Sequence, residues 1–582
     1  MKFASFLKKL PVSTYRNIPL AASLAASCLF TPVSWADGPM RGNPLDSLPK
    51  IETPGAAARP APPVRQEAND AQAAVARRLQ QRLIPRFFDV KGNTIVSLTE
   101  IATILEPLAG REMTVAQLVQ EVNKITDLYQ QQGYSLSFAL LQDQDFAKGL
   151  VRVTIVEGHV ASVRIDGDVG NAAGRLESLA QPLIAEKPMT SATLERVLNL
   201  MRQVPGMRFT PTLDMPRRAD GATELVLAAT HQKIAFSAGL ADMGAGMQGL
   251  VTVTANSLTP LGEQVRLTGA VPLASGDVRY IDGAVSVPVG NDGLAVELDG
   301  YHYQAYPEDA VLQVQGWERR VVNERIGLGV SYPFILNNKS LLTGTAGIYA
   351  AQSIDEYHRE ADNAWLQQRT HLRVLRAGLR YREVGEKQSR DISLNMYKGL
   401  DALGAKKSMT SNYAEFGAPE YDIDFTRFTL DLKQTAMLPA GFGLTLSGTG
   451  QYSRDILPNI EQTSFGAWRY GLGYPQGELA GDKGYGVSAE LNRKFSTGWG
   501  LLATIQPYVM VDHARAWYNS NNVQAAYSGR KLTSAAAGVR LTDDKHYIFD
   551  FNIAKPIGDL PLGRDERKLR FNANYSLLYD GF

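Results

Sequence analysis

The chain has 582 residues, 60 basic against 59 acidic, with one cysteine and seven histidines. That balance leaves no basic footprint for nucleic acid, and one cysteine supports no disulfide framework. The length allows three or four ordinary domains, or one large barrel with appendages.

Residues 1–36 read as an export signal. Lys2, Lys8, Lys9 and Arg16 form a basic leader, Ile18–Phe30 an apolar core, and Ser34-Trp35-Ala36 a small-x-small cleavage site. The core is too short for a spanning helix, which needs roughly 20 apolar residues. Cys28 follows Leu24-Ala-Ala-Ser, a loose lipoprotein box, but cleavage after Ala36 removes it and takes the net charge from +1 to about −3. No later apolar run is long enough for a membrane helix. An exported chain of this kind is periplasmic, secreted or an outer-membrane barrel.

Residues 37–65 hold Pro39, Pro44, Pro49, Pro54, Pro60, Pro62 and Pro63 and form an extended linker. Residues 66–85 predict a helix with a thin apolar stripe (Val75, Leu79, Leu83), closed by Pro85. From 86 to 158 the order is strand, helix, helix, strand, strand. Ser97-x-x-Glu100 and Thr114-x-x-Gln117 are capping boxes, and Leu118, Val122, Ile125 and Tyr129 mark one buried helix face. The same order returns over 159–231, so the units form a tandem array. Sheet edges of such units can take an extended peptide as a further strand.

Residues 232–582 read as about sixteen alternating segments, each near the 9–11 residues that a tilted strand needs to cross a bilayer. Short turns (436–441, 496–499, 542–546) alternate with long connections (304–324, 351–371, 400–425, 453–483, 513–534). Short periplasmic turns and long external loops are the habit of outer-membrane barrels. A large soluble β-protein would not need that alternation.

The sequence offers no catalytic or metal chemistry. The histidines are dispersed and no P-loop or Gly-x-Ser-x-Gly elbow occurs. Gly244-x-Gly246-x-x-Gly249 precedes a strand, not a phosphate-binding helix, and reads as a hairpin loop. Asp166-Gly-Asp168 reads as a turn. No enzyme, cofactor or metal is expected.

Two sets of residues resemble a known family. Tyr129-x-x-x-Gly133-Tyr134, Gln144-Asp145-Phe146, Gly149-Leu150 and Val156-Glu157-Gly158 resemble the first POTRA domain of two-partner-secretion (TpsB-type) transporters. Leu194-Glu195-Arg196 with Pro205-Gly206 resembles their second. Leu141 stands where the family has a proline. In the longest loop, Gly473-Tyr474-Pro475 and Gly481-Asp482-Lys483-Gly484-Tyr485 resemble the family's Val-Arg-Gly-Tyr/Phe and Gly-Asp-Arg-Gly-Tyr motif, followed by Glu490-Leu491.

The resemblance implies a mainly β fold: a sixteen-stranded transmembrane barrel after two periplasmic α/β POTRA domains. It further implies that loop 454–483, after the eleventh strand, folds into the barrel. There the family's arginine pairs with an aspartate on the wall. The matching wall residue here is Asp512, and the arginine position holds Leu472, which cannot pair a carboxylate. Arg469 and Lys483 are the candidate substitutes, and a hydrated Asp512 is the simpler alternative. Residues 66–85 are a candidate plug helix.

The implied partners are outer-membrane lipid and a secreted protein with its own N-terminal secretion domain, of the adhesin or haemolysin type. The transporter itself is expected to be a monomer. An outer-membrane assembly insertase of the same superfamily is the alternative, and a plain porin a weaker one.

Overall fold

The computed structural model describes residues 79–142, 144–146, 148–216, 220–242, 247–272, 278–307, 315–519 and 528–579. The export signal, the linker, most of the 66–85 helix, Gly244, Gly246 and Phe582 lie outside the described residues. At the end of that predicted helix the structure differs. Leu79 is helical, but Arg82–Leu83 is a short strand paired with Met113–Thr114. Leu83 is buried in the first unit's core, so tertiary packing overrides the local helical pattern there.

In the first unit, α1 (Leu98–Leu105) and α2 (Val115–Gln131) both open on capping boxes made by Ser97 with Glu100 and Thr114 with Gln117. α2 buries Leu118, Val122, Ile125 and Tyr129 against a three-stranded sheet. In that sheet Leu150–Val156 is central, with Phe87–Lys91 parallel on one side and Phe138–Leu141 antiparallel on the other. The second unit repeats this order with α3 (Ala173–Ala185) and α4 (Ser191–Arg202). Its central strand Ala222–His231 lies between His159–Asp166 and Met207–Leu213.

Sixteen antiparallel strands then close into a barrel. They are β1 (Ile234–Asp242), β2 (Met247–Asn256), β3 (Gln264–Pro272), β4 (Arg279–Val289), β5 (Leu294–Ala305), β6 (Trp317–Leu336), β7 (Ser340–Arg359) and β8 (Ala364–Val384). The second half comprises β9 (Gln388–Gly399), β10 (Thr426–Met437), β11 (Phe442–Ser453), β12 (Lys483–Arg493), β13 (Leu502–Trp517), β14 (Lys531–Thr542), β15 (Tyr547–Pro556) and β16 (Arg570–Tyr579). β16 pairs with β1 through Ser576–Tyr579 to complete the ring. Two short pieces, Lys406–Ser411 and Phe495–Trp499, pair only with β8 and β13.

Alternation along each strand sorts the two faces. On β13, Val509 and Val511 face out while Tyr508, Asp512, Ala514 and Ala516 are buried inward. The expected long loop 351–371 is a correction: β7 and β8 stay paired up to Arg359 opposite Ala364, leaving a tight turn. Gln367 of β8 donates to Glu356 of β7 within that extension, and Arg319–Asp355 (2.6 Å) and Arg320–Glu356 (2.8 Å) tie β7 to β6 alongside.

The second α/β unit docks on the short-turn end of the barrel. Arg196 pairs with Asp292 at 2.6 Å, and the Arg175 guanidinium donates to the Gly290 carbonyl at 2.6 Å. Asn199 donates to Asn338 at 3.1 Å. The long connections therefore lie at the opposite end.

Candidate functional site: a loop seated inside the barrel

Between β11 and β12 the chain turns back into the lumen. Its first anchor is Glu461, buried, which accepts from Tyr349 Oη at 2.7 Å and pairs with Arg427 at 2.7 Å. A short hairpin follows, with Thr463–Phe465 paired to Leu479–Gly481. Its tip is compact because Ala467 N–H donates to the Tyr474 carbonyl (3.1 Å) and Tyr474 N–H to the Gly471 carbonyl (2.8 Å). Tyr474 is fully buried among Phe465, Leu479, Ala514, Ala516 and Leu532, and its hydroxyl donates to the Asp559 carbonyl at 2.8 Å.

The tip meets the wall at Asp512. One carboxylate oxygen accepts the Gly471 N–H (3.1 Å) and the Leu472 N–H (2.9 Å), and the other accepts the Ser534 N–H at 3.1 Å. Gly473 N–H donates to Ser534 Oγ at 3.0 Å, and Asn572 donates to the Leu472 carbonyl at 3.2 Å. Leu472 packs its side chain on Ala536 and Ala554. The position expected to hold a guanidinium thus supplies its peptide N–H instead. The N–H groups that this carboxylate accepts offset part of the cost of burying its charge.

The seat bears on the two candidate substitute cations. Lys483 begins β12 on the outward face and donates to Asn519 at 2.7 Å, so strand alternation directs it away from Asp512. The hydrogen bonds at Asp512 come from the Gly471, Leu472 and Ser534 N–H groups, joined by the Ser534 hydroxyl. Arg469 engages the hairpin through its own backbone, paired with Gly466. Tyr485 also departs from the expected loop role. It is a wall residue facing outward, in ring contact with His513 and Trp517.

The motif glycines are explained by close approach. A Cβ on Gly473 would lie 2.6 Å from Pro556 N, and one on Gly481 2.5 Å from the Trp517 carbonyl. A Cβ on Gly484 would lie 2.7 Å from the Arg515 carbonyl. Asp482, fully buried, accepts from Leu457 N–H (2.9 Å), Gln462 Nε2 (3.3 Å) and Asn519 N–H (2.7 Å), binding both ends of the loop to the next connection. Glu478 accepts from Leu562 N–H at 2.5 Å.

Ser534, Asn572, Glu461 and Arg427 take part in this seat without belonging to the motif. A signal for β14 existed: Ser534-Ala535-Ala536-Ala537-Gly538 is a run of small residues, as a wall needs where backbone approaches from the lumen. Elsewhere the lumen is laced with ion pairs. Arg540 forks onto Glu490 at 2.7 and 2.6 Å and reaches Asp550 at 2.9 Å, while Arg325 and Arg376 share Asp299.

Residues 231–541 match the family described as "Haemolysin secretion/activation protein ShlB/FhaC/HecB", and residues 83–158 match "POTRA domain, ShlB-type". The heme/hemopexin transporter protein HuxB of Haemophilus influenzae is 20% identical over 486 residues, covering 80% of this chain and 82% of that protein. The outer membrane transporter CdiB of Escherichia coli is 23% identical over 489 residues, covering 80% and 78%. The solved structure of CdiB from Escherichia coli superposes with a TM-score of 0.66 at 18% identity, covering 90% of this chain and 95% of that one.

Proposed function

Because this chain belongs to the haemolysin secretion/activation family of two-partner-secretion outer-membrane transporters, we propose that it exports one large exoprotein of the adhesin or haemolysin type. The barrel lies in the outer membrane with its α/β units in the periplasm. In this reading the unfolded exoprotein is met by the periplasmic units. Their sheets leave edge strands, Phe138–Leu141 in the first and Met207–Leu213 in the second, onto which an extended segment adds as a further strand. The segment then passes through the lumen once loop 454–482 leaves its seat, and folding outside biases the movement.

The observation that carries the reading is the main-chain seat at Asp512. Hydrogen bonds from Gly471 and Leu472 hold the loop, and water can replace them one for one on both partners. At the tip, opening strands no cation on Asp512, and the vacated carboxylate is rehydrated by the lumen; the Glu461–Arg427 pair is the stronger hold on the loop's base. A seat of that kind closes the pore at rest and yields to an entering chain.

Photo-crosslinkers placed in Phe138–Leu141 and Met207–Leu213 of the full-length protein in cells test this. Capture of one large exported polypeptide is the expected result. Capture of many unrelated outer-membrane barrels would replace it with an assembly role, and capture of neither would leave a diffusion pore.

A further inference from the structure

The strands that seat the loop carry a second pattern on their other face. The alternation that turns Asp512, Ser534 and Ala554 inward turns Arg515, Lys531 and Lys555 outward. The register aligns these cations. Tyr485 opposes Arg515, Arg515 opposes Lys531, Lys555 opposes Ala535, and Lys483 opposes Trp517. Arg454 extends the row past Tyr452, donating to its hydroxyl at 3.2 Å.

Five cations, Arg454, Lys483, Arg515, Lys531 and Lys555, thus line one band across β11–β15. Among the described residues none of them lies within ion-pair distance of a carboxylate. The partners recorded for them are neutral: the Tyr452 hydroxyl, the Asn519 amide oxygen and the Gly529 carbonyl. The nearby Asp559 carboxylate accepts the main-chain N–H of Lys531 at 2.8 Å.

The position of the band is set by what lies beside it. Val487, Val509, Val511 and Ile553 continue the same outward face as an apolar surface. On β12 the next outward cation after Lys483 is Arg493, ten residues on. At about 3.3 Å per residue and a tilt of about 40°, that is about 25 Å of height, the thickness of a barrel's apolar band. Arg493 therefore marks the periplasmic interface and the five-cation row the outer one. Tyr452, Tyr485 and Trp517 stand in that row, as interfacial aromatics do.

We propose that this row binds the phosphate groups of anionic glycolipid headgroups in the outer leaflet. The argument rests on the outer-membrane placement and is independent of which protein is exported. Strands hold four of the cations and Arg454 directly follows β11, so little ordering cost attaches to a polyanionic headgroup, and Arg454 and Arg515 offer planar forks suited to phosphate. An anionic lipid supplies the counter-charge that these interfacial cations lack in the protein. The ligand would sit on the outer side of the wall whose inner side seats the loop.

The test uses the purified full-length protein in detergent, titrated with diphosphorylated lipid A and with its dephosphorylated form, and read by native mass spectrometry. Wild type is expected to prefer the diphosphorylated lipid. The triple variant Arg454→Gln/Lys531→Gln/Lys555→Gln is expected to bind it about 100-fold more weakly, at about fivefold per charge near a surface. Arg493→Gln, at the opposite interface, is expected to bind as wild type. Single Lys531→Gln and Lys555→Gln variants provide the same reading if the triple variant folds poorly. Equal binding of the two lipids, wild-type affinity in the single and triple variants, or full displacement by millimolar inorganic phosphate would each overturn the proposal. The last would indicate a free-anion site, not a lipid one.

Discussion

Replacing Asp512 with alanine removes the acceptor for two N–H groups of the loop, Gly471 and Leu472, and one of the wall, Ser534. The two loop bonds decide the effect on closure. A hydrogen bond to a charged group contributes about 1.5–3 kcal/mol. Because the freed N–H groups regain water when the loop opens, the lower figure applies, about 3 kcal/mol for the pair. At 1.4 kcal/mol per decade the closed-to-open ratio falls by about 100-fold.

The remaining anchors still guide the loop to its seat: Gly473 on Ser534, Asn572 on the Leu472 carbonyl, and Tyr474 on Asp559. Planar-bilayer conductance of the full-length protein reads the opening, and labelling of a cysteine introduced at Leu472 by a membrane-impermeant reagent reads exposure of the tip. Leu472→Met keeps both the N–H and the side-chain volume, so its conductance should match wild type, as should that of Arg469→Ala and Lys483→Ala. If Asp512→Ala conducts like wild type, or if Arg469→Ala opens the pore as Asp512→Ala does, the main-chain seat is wrong.

Other outcomes follow from the same geometry. Gly473→Ala drives a Cβ to 2.6 Å from Pro556 N and should displace the tip at a cost of about 1–3 kcal/mol, seen as new protease cleavage within 466–478. Arg427→Ala leaves Glu461 buried without its 2.7 Å cation and should destabilise by about 3–5 kcal/mol, lowering the midpoint of heat-modifiable gel mobility. Arg427→Met with Glu461→Gln should be milder than Arg427→Ala, since no charge is then left buried.

In the first periplasmic unit, burial works against the charge on Glu157. Donors from Thr94, Ile95 and Tyr129 outweigh it and hold the carboxyl below its ordinary value. Its stabilising contribution is therefore present above the unfolded value of about 4.3 and lost as pH falls through the lower folded value. Acidification should expose that unit to an acid-active protease, and Glu157→Gln should flatten the dependence. An unchanged acid response in the variant would assign it elsewhere.

Most of the architecture was legible because it rests on local periodicity. Capping boxes at Ser97 and Thr114 started helices where they were expected, and period-2 alternation located the barrel strands. The misreadings have tertiary causes. Residues 351–371 looked like a loop, since nothing within one segment reveals the cross-strand pairs that keep β7 and β8 in register to Arg359. Arg82–Leu83 looked helical, but the first unit's core draws that segment into a strand with Met113–Thr114.

The loop shows where the boundary between the two kinds of information falls. The family resemblance pointed to Asp512 as the wall partner, and residue chemistry showed that Leu472 cannot pair it. Which group meets the carboxylate could not be read there. The donors are peptide N–H groups, which every non-proline residue carries and no side-chain motif encodes. Their aim depends on the backbone course through Tyr470 and Gly471 and on Gly473 lying against Pro556. Closure of the barrel decides it, by bringing β13, β14 and β16 around one loop tip.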